Sequence, residues 1–306
     1  MPKNPARPLW HPLNWPMWLG LWTFRLVAVV VPFGAQLWLG RWLGRAIFYG
    51  PRIRRRVVET NLRLCFPELS ELERRTLARR HFEALGMGVF ELCTSWYRSP
   101  ERMEPLVEAI EGLEHLERLR EEGRGALLLT AHFTTLEMTA RLLSERVAMG
   151  ALFRSPKHPV VAHEMRRIRA LRLQQAVIHF NDLRGLLRAL KGGAFIWYAP
   201  DQGRRAKFTE LLPFFGELAN TNVATARVAR MSGCAVVPFF GLRTPSGRYR
   251  LRIGAPLEDF PSGDDRADAL RVTALIEDAI RQAPEQYFWV HKRFKRRGDA
   301  LPDAYK

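Results

Sequence analysis

The sequence contains few cysteines and lacks several familiar catalytic motifs. Among its 306 residues only Cys65, Cys93 and Cys234 are cysteine, and their wide separation excludes a disulfide framework or a zinc site of the CxxC type. We interpret them as buried thiols of a reducing compartment. The chain has no G-x-S-x-G elbow and no G-x-x-x-x-G-K-[ST] loop, and the Gly-Arg-Gly at 123–125 precedes a predicted strand instead of following it. These absences argue against covalent serine catalysis and nucleotide-driven chemistry.

Acidic residues are outnumbered by basic ones. The chain has 31 Asp and Glu against 48 Lys and Arg, a formal net charge of +17, which predicts attraction to an anionic partner. Nucleic acid, an acidic membrane surface and an acidic protein all qualify, but no recognised nucleic-acid module is present. We therefore expect no nucleic-acid partner. A basic, membrane-associated binding protein without enzymatic activity remains an alternative explanation of the charge.

No apolar run is long enough to span a membrane without interruption. A full span needs roughly 20 apolar residues, whereas Arg25 and Pro32 interrupt the most apolar stretch. Six of the nine tryptophans lie in the first 42 residues: Trp10, Trp15, Trp18, Trp22, Trp38 and Trp42. Tryptophan prefers the depth of the lipid headgroups. We therefore predict that residues 1–50 form an N-terminal hydrophobic membrane-anchoring helical segment, either a short tilted transmembrane span or a helix in the interface.

The basic flank of this segment predicts its orientation. Six arginines follow the apolar stretch: Arg41, Arg45, Arg52, Arg54, Arg55 and Arg56. If the segment spans the membrane, the positive-inside bias places this flank and the rest of the protein on the cytoplasmic side, where the arginines would also attract anionic lipids. A solvated basic surface would explain the same cluster. No small-residue cleavage site follows the segment, so we expect it to be retained.

Short apolar runs alternate with helical patterns in the rest of the chain. Strands are predicted at 126–131, 147–153, 176–180, 194–199, 234–240 and 248–254. Helices are predicted between them at 136–146, 163–174, 183–193 and 222–233, and Ser70 and Glu73 have capping-box spacing. This alternation predicts an α/β fold in which a mixed, partly parallel sheet is flanked by helices. We expect one such domain over residues 51–306.

His132 and Glu137 follow the first predicted strand. Side chains five residues apart on one helix point about 140° away from each other. If His132 instead lies in the turn before a helix, Glu137 falls in the first helical turn, within reach of the imidazole. The pair is then either catalytic or part of a helix cap, because Thr134 and Glu137 also have capping-box spacing. Two ligands five residues apart do not have a recognised zinc spacing, so we expect no metal ion.

Arginines are concentrated after other predicted strands. Arg154, Arg204 and Arg205 follow strands, and Arg172 lies among further arginines of a predicted helix. Guanidinium groups suit phosphate, so these four residues are candidates to bind an anionic substrate. Asp201 also follows a strand. Each arginine could equally belong to a solvated surface, and Asp201 to a turn.

Several stretches together resemble one family. They are "NLRLCFPELSELER" (61–74), "AHFTTLEM" (131–138), "WYAPDQG" (197–203), "ARVARMSGCAVVPFF" (226–240) and "PEQYFWVHKRFKRR" (284–297). In this order they resemble the late (secondary) acyltransferases of lipid A biosynthesis, the lauroyl/myristoyl transferase family of Gram-negative bacteria. The likeness covers nearly the whole chain, and "HFTTLE" matches the family's H-x4-E motif.

The resemblance implies roles for individual residues. His132 would be the general base and Glu137 its partner. Arg169 and Asp201 match further residues of the family's site, and Arg172 is a second candidate for the role of Arg169. The family often has Tyr-Arg-Asn-Pro where this chain has Phe-Arg-Ser-Pro at 153–156, so this loop departs from the family pattern although its arginine is retained.

The resemblance also implies the reaction and its setting. The donor would be acyl carrier protein and the acceptor a hydroxyl on an acyl chain of a lipid A precursor, with no cofactor and no covalent acyl-enzyme. The protein would lie in the inner membrane, in contact with anionic lipids, with its active site facing the cytoplasm. A glycerolipid or other lysolipid acyltransferase remains an alternative, although such enzymes normally have H-x4-D.

Overall fold

The computed structural model describes residues 8–50, 52–172, 174–175, 177–202, 208–295, 297 and 301–305, which fold into alternating strands and helices. The strands are β1 Val107–Glu111, β2 Ala126–Leu129, β3 Gly150–Phe153, β4 Val177–His179, β5 Phe195–Tyr198, β6 Thr209–Phe214, β7 Glu217–Asn222, β8 Ala235–Arg243 and β9 Tyr249–Ile253. The α-helices are α1 Trp15–Val30, α2 Phe33–Tyr49, α3 Arg52–Cys65, α4 Glu71–Tyr97, α5 Pro100–Met103, α6 Leu113–Glu121, α7 Leu136–Ser144, α8 Pro159–Arg172, α9 Leu183–Lys191, α10 Ala224–Ser232 and α11 Asp265–Gln282.

The central sheet of the described residues has seven strands in the order β1-β9-β8-β2-β5-β3-β4. Strands β8, β2, β5, β3 and β4 are mutually parallel, whereas β9 runs antiparallel to β8 and parallel to β1. The predicted α/β fold with a mixed, partly parallel sheet is therefore confirmed. Leu129 at the end of β2 pairs with Tyr198 at the end of β5, so the residues that leave these two strands lie side by side at one edge of the sheet.

The middle of the sheet is buried on both faces. All four residues of β2 are inaccessible to solvent, as expected for a parallel strand covered on both sides. Leu127 packs in the cluster that contains residues of α9, α10 and α11, and Leu128 packs in the cluster that contains residues of α6 and α7. Helices on both faces thus hold the ends of β2 and β5 in fixed positions.

Helix α2 packs closely against α4 through glycines. A Cβ atom added at Gly44 would lie 2.0 Å from the carbonyl oxygen of Phe82, and one added at Gly86 would lie 2.1 Å from the carbonyl oxygen of Gly40. Small residues allow this approach of two helix backbones. A buried hydrogen bond of 2.7 Å from the Thr94 hydroxyl to the Gln36 side chain adds to the contact.

The first two helices do not provide the expected span. Among the described residues, no helix combines the length and the apolar character that crossing a membrane requires. The tilted transmembrane span that the sequence left open for residues 1–50 therefore has no support, and the boundary at residue 50 stays a prediction. Of the six N-terminal tryptophans, Trp18 is buried, whereas the other five are between 51% and 62% exposed.

Local predictions succeeded at several helix and strand ends. The Ser70 hydroxyl accepts from the backbone of Glu73, whose carboxylate accepts from the Ser70 backbone, so the capping box at the start of α4 is confirmed. Strand β1 and the β6–β7 hairpin were not predicted. The hairpin turns at Phe215 and Gly216, which both have positive φ.

Candidate active site

The loop after β2 holds His132 at the carboxyl edge of the sheet. Its backbone is fixed by the segment after α11: the His132 carbonyl accepts a 2.9 Å hydrogen bond from the Phe288 amide, and the Gln286 carbonyl accepts one of 2.7 Å from the Thr134 amide. The imidazole remains 32% exposed. A firmly held backbone therefore presents a ring that a substrate can reach.

Asp201, which follows β5, binds His132 at two points. Its Oδ1 lies 2.6 Å from the Nδ1 atom of His132, and its Oδ2 accepts a hydrogen bond of 3.1 Å from the His132 amide. A carboxylate at Nδ1 favours the tautomer with a proton on Nδ1, which leaves Nε2 as the basic nitrogen. The neighbouring positions of β2 and β5 thus bring together two predicted site residues.

The Asp201 carboxylate is buried and remains ionised. Burial by itself would raise its pKa, but the charge and hydrogen bonds of His132, together with the Tyr287 hydroxyl, hold the pKa of Asp201 below its ordinary value. The Tyr287 hydroxyl donates to Oδ2 over 3.0 Å. Burial and the nearby carboxylate raise the pKa of Tyr287 well above its ordinary value, so this phenol stays a proton donor. The order His132, Asp201, Tyr287 forms a continuous hydrogen-bonded chain.

The Glu137 carboxylate has a different partner from the one the sequence indicated. Helix α7 begins at Leu136, so Glu137 falls in its first turn as expected. Its carboxylate accepts a hydrogen bond of 2.7 Å from Nη2 of Arg169 in α8. Asp201, and not Glu137, is the carboxylate that contacts Nδ1 of His132, so the partnership of Glu137 with His132 that the resemblance implies does not include fixing the tautomer of the ring.

The helix-cap alternative for Glu137 is likewise not what the structure shows. The buried Thr134 hydroxyl, which the predicted capping box would use, has no hydrogen-bond partner among the described residues, and Thr135, which precedes α7, makes no capping hydrogen bond with the helix. The Thr135 hydroxyl instead donates to the carbonyl oxygen of Gly241 in β8 over 2.9 Å. Glu137 is therefore an ion-pair partner of α8, and its side chain is 30% exposed.

The remaining arginine candidates have different surroundings. Arg172 is half-buried and its Nη2 donates to the carbonyl oxygen of Arg98 over 3.3 Å. Arg154 is exposed, with its guanidinium 5.6 Å from the centre of the Phe180 ring. Arg204 and Arg205 lie outside the described residues. The Glu137 ion pair distinguishes Arg169 from Arg172.

The three cysteines are buried and unpaired, which confirms the interpretation as buried thiols. Burial raises the pKa of Cys93 to about 12, and also raises the pKa values of Cys65 and Cys234. A thiol acts as a nucleophile only as the thiolate. These cysteines are therefore poor candidates for a covalent intermediate.

Two site residues had no assigned role in the sequence analysis. Tyr287 lies in the stretch 284–297 that contributes to the family resemblance, but nothing in its spacing connects it with Asp201, 86 residues away. Arg141 lies on α7, one helical turn after Glu137, and its side chain is almost fully buried. The sequence signal that could have identified Arg141 is its charge on the side of the helical pattern that is otherwise apolar.

Comparison with known proteins identifies the family. The family described as bacterial lipid A biosynthesis acyltransferase matches residues 3–296. The chain is 36% identical over 299 residues to a lipid A biosynthesis lauroyltransferase of Escherichia coli K12, covering 97% of both chains. It is 33% identical to a palmitoleoyltransferase of the same organism, covering 95% of both chains, and 28% identical to a myristoyltransferase, covering 97% of this chain and 92% of the relative. The protein belongs to the bacterial lipid A biosynthesis acyltransferases.

Proposed function

We propose that the protein transfers a fatty acyl chain from acyl carrier protein to a hydroxyl group on an acyl chain of a lipid A precursor. The observation that carries this proposal is the hydrogen-bonded pair of His132 and Asp201 at the carboxyl edge of the sheet, in a chain that matches the family over residues 3–296. A base beside a positioned carboxylate is what ester formation from an alcohol and a thioester requires.

His132 acts as the general base. Its Nε2 takes the proton of the acceptor hydroxyl while the hydroxyl oxygen attacks the thioester carbonyl carbon. The tetrahedral intermediate then breaks its C–S bond, and the departing sulfur receives the proton from the imidazolium. Asp201 holds Nδ1–H and stabilises the imidazolium. A positioned base of this kind contributes about 10² to 10⁴ in rate.

Arg169 and Glu137 act together in stabilising negative charge on the substrate. The Glu137 carboxylate fixes one side of the Arg169 guanidinium, and the guanidinium stabilises negative charge on the acceptor phosphate or on the developing oxyanion. We expect Glu137→Gln and Arg169→Lys to lower kcat/KM together and non-additively, because both act through one ion pair. Additive losses in the double variant would contradict this role.

Transfer is direct, without an acyl-enzyme. The buried cysteines, with raised pKa values, support this proposal. We expect intact-protein mass spectrometry of rapidly quenched turnovers to show unmodified protein. A covalent acyl adduct that forms and decays at the turnover rate would overturn it.

The apolar surface of α1 and α2 lies in the membrane interface. Five exposed tryptophans with exposed Leu19, Leu26 and Val30 support this placement, because tryptophan and leucine suit the boundary of headgroups and acyl chains. The buried Trp18 of α1 lies beside the exposed Trp22, and its ring is 6.3 Å from that of His163 on α8. The helix that carries Arg169 is therefore close to the proposed lipid surface, where a lipid acceptor is available.

We further propose that this surface binds anionic lipids of the inner membrane, with the active site facing the cytoplasm, where acyl carrier protein is found. Trp22→Ala combined with Trp38→Ala should weaken binding to vesicles containing phosphatidylglycerol by about tenfold or more, as expected for removal of two large apolar contacts. Trp18→Phe, at the buried tryptophan, is the control. Equal binding by the double variant and the wild type would refute the interfacial placement.

Lipid mass spectrometry tests the reaction itself. Purified protein with acyl carrier protein thioester and a lipid A precursor should add one acyl chain, and His132→Ala should abolish the product while leaving the unfolding temperature unchanged. In a deletion strain, lipid A should lack one acyl chain. A change confined to glycerolipids would favour the lysolipid acyltransferase, and unchanged lipids would refute both.

A further inference from the structure

The ion pair of Glu137 and Arg169 forms part of the lining of a small pocket. It is lined by residues of α4, α7, α8 and β5, is partly open, and has a volume of about 30 Å³. Its lining includes Trp96, Arg141, Arg169, Arg172 and Trp197, and we call it the Arg141 pocket. A cavity of about 10 to 15 Å³ on this measure already holds one water molecule, so the Arg141 pocket has space for a larger group.

Buried hydrogen-bond donors without acceptors surround the pocket. Among the described residues, no acceptor is present for Nε and Nη2 of Arg141, Nη1 of Arg169, Nε of Arg172 or the indole Nε1 atoms of Trp96 and Trp197. Arg141 is only 5% exposed, and both tryptophans are only 7% exposed. Buried donors are normally satisfied, so six unsatisfied donors around one cavity indicate a missing acceptor.

The pocket also has an excess of positive charge. Glu137 forms an ion pair with Arg169 and Glu145 forms one with Arg141, so these two carboxylates balance two of the three guanidinium groups of Arg141, Arg169 and Arg172. Burial, and then the charge of Arg172, lower the pKa of Arg141 to about 10, so the guanidinium is still charged at neutral pH. Two guanidinium groups close together in a buried place favour an anion between them.

The pattern of donors selects the kind of anion. Nε and Nη2 form one edge of the Arg141 guanidinium, which matches two oxygens of a phosphate or carboxylate. The indole groups of Trp96 and Trp197 donate from other elements, so the ligand must accept in several directions. A water molecule in the pocket would have to point its own hydrogens at other donors, whereas the oxygens of a phosphate group accept hydrogen bonds from several directions.

We propose that the Arg141 pocket is a binding site for a phosphate group, held by the free edge of Arg141, by Arg172 and by the indole N–H groups of Trp96 and Trp197. The phosphate is either that of the acceptor lipid or a free ion. The first source rests on the proposed function, since it makes the pocket a specificity site for the phosphorylated sugar. The second would make phosphate a structural ligand that steadies α8.

Inorganic phosphate tests the site without reference to catalysis. The unfolding temperature of the detergent-solubilised full chain is measured against phosphate concentration, with ionic strength held constant by sodium chloride. We expect a saturable rise for the wild type. Trp197→Phe removes one donor and keeps the aromatic packing, and Arg141→Lys removes the two-donor edge and keeps the charge. Each should weaken the apparent Kd for phosphate about tenfold, as expected for a lost charge-assisted hydrogen bond.

Matched variants away from the pocket are the controls. Trp22→Phe on α1 and Arg188→Lys on α9 change the same residue types at exposed positions and should respond to phosphate like the wild type. Absence of a phosphate-specific rise in the wild type would overturn the proposal, and so would an undiminished rise in both pocket variants.

Acceptor kinetics identify the source of the phosphate. If the lipid supplies it, Arg141→Lys should raise KM about tenfold for a phosphorylated acceptor and leave KM unchanged for the phosphatase-treated acceptor. The pocket binds the free ion if the variant loses the phosphate-dependent rise in unfolding temperature but has the same KM as the wild type for both acceptors. If the wild type transfers no acyl chain at all, the proposed function fails while the phosphate titration still decides the site.

Discussion

Replacement of Asp201 by asparagine tests the central hydrogen-bonded chain. Three donors point at the carboxylate: Nδ1–H of His132 at 2.6 Å, the His132 amide at 3.1 Å and the Tyr287 hydroxyl at 3.0 Å. Asparagine has only one side-chain oxygen. If that oxygen keeps the two donors at Oδ2, the new NH₂ group faces Nδ1, and the imidazole must accept there and carry its proton on Nε2.

The expected loss follows from this tautomer. With a proton on Nε2 the ring is no longer a base toward the acceptor hydroxyl, and the negative charge that stabilised the imidazolium is also gone. The corresponding change in a serine-protease triad lowers kcat by about 10⁴. We expect Asp201→Asn to lower kcat by about 10² to 10⁴, which corresponds to about 3 to 5 kcal/mol, with little change in KM.

The assay is acyl transfer from acyl carrier protein under saturating acceptor, with kcat and KM measured separately. Tyr287→Phe is the companion variant, because it removes one neutral donor and leaves the Asp201 charge and the His132 contact in place. A loss of about tenfold or less is expected for it. If Asp201→Asn keeps kcat within about threefold of the wild type while its unfolding temperature is unchanged, the role of Asp201 is wrong.

Three further results are expected. Gly44→Ala should lower the free energy of unfolding by about 1 to 3 kcal/mol through overpacking against Phe82, whereas Gly20→Ala, whose Cβ meets no atom within 4 Å, should be neutral or slightly stabilising in denaturant titrations. Burial lowers the pKa of His81 to about 4, so as the pH falls the histidine is protonated in the unfolded chain before it is protonated in the folded protein. The free energy of unfolding should therefore fall by about 3 kcal/mol as the pH drops from about 6.5 to 4. This pH-dependent loss of stability should be absent in His81→Leu. The KM for acyl carrier protein should rise about 3- to 10-fold between low and high ionic strength because an acidic donor meets a chain of charge +17, and a KM that does not change with salt would contradict carrier-protein capture by charge.

The sheet was largely predictable because its parallel strands are short, continuous apolar runs. All six predicted strands occur, as β2, β3, β4, β5, β8 and β9. The omitted strand β1 has the sequence VEAIE, is only partly buried, and has two carboxylates that obscure its pattern. The β6–β7 hairpin turns through Phe215 at φ 52°, where sequence rules expect asparagine, aspartate or glycine. The Phe215 amide donates to the Glu277 carboxylate over 2.7 Å, a long-range contact that the local sequence does not reveal.

Four residues of the hydrogen-bonded and ion-paired contacts were candidates in the sequence, whereas Tyr287 and the pairing of the four were not predicted. The four candidates are His132, Glu137, Arg169 and Asp201, and His132 and Asp201 are close together because they follow the neighbouring strands β2 and β5. Which carboxylate meets which base depends on partners 69 and 32 residues apart. The spacing of His132 and Glu137 along the chain suggested one pair, whereas the order of strands in the sheet produces another. Arg141 was not predicted as a site residue, because the burial of a single arginine on α7 depends on the packing of α4 and α8.

The glycine contact between α2 and α4 limits how the protein can be engineered. Removing the first fifty residues to avoid detergent would strip away the surface that fills the groove at Gly86 and would leave the Thr94 hydroxyl without its Gln36 acceptor. We therefore expect a chain without these residues to misfold. Polar replacements of the exposed tryptophans, with both helices kept, offer the better route to a water-compatible variant.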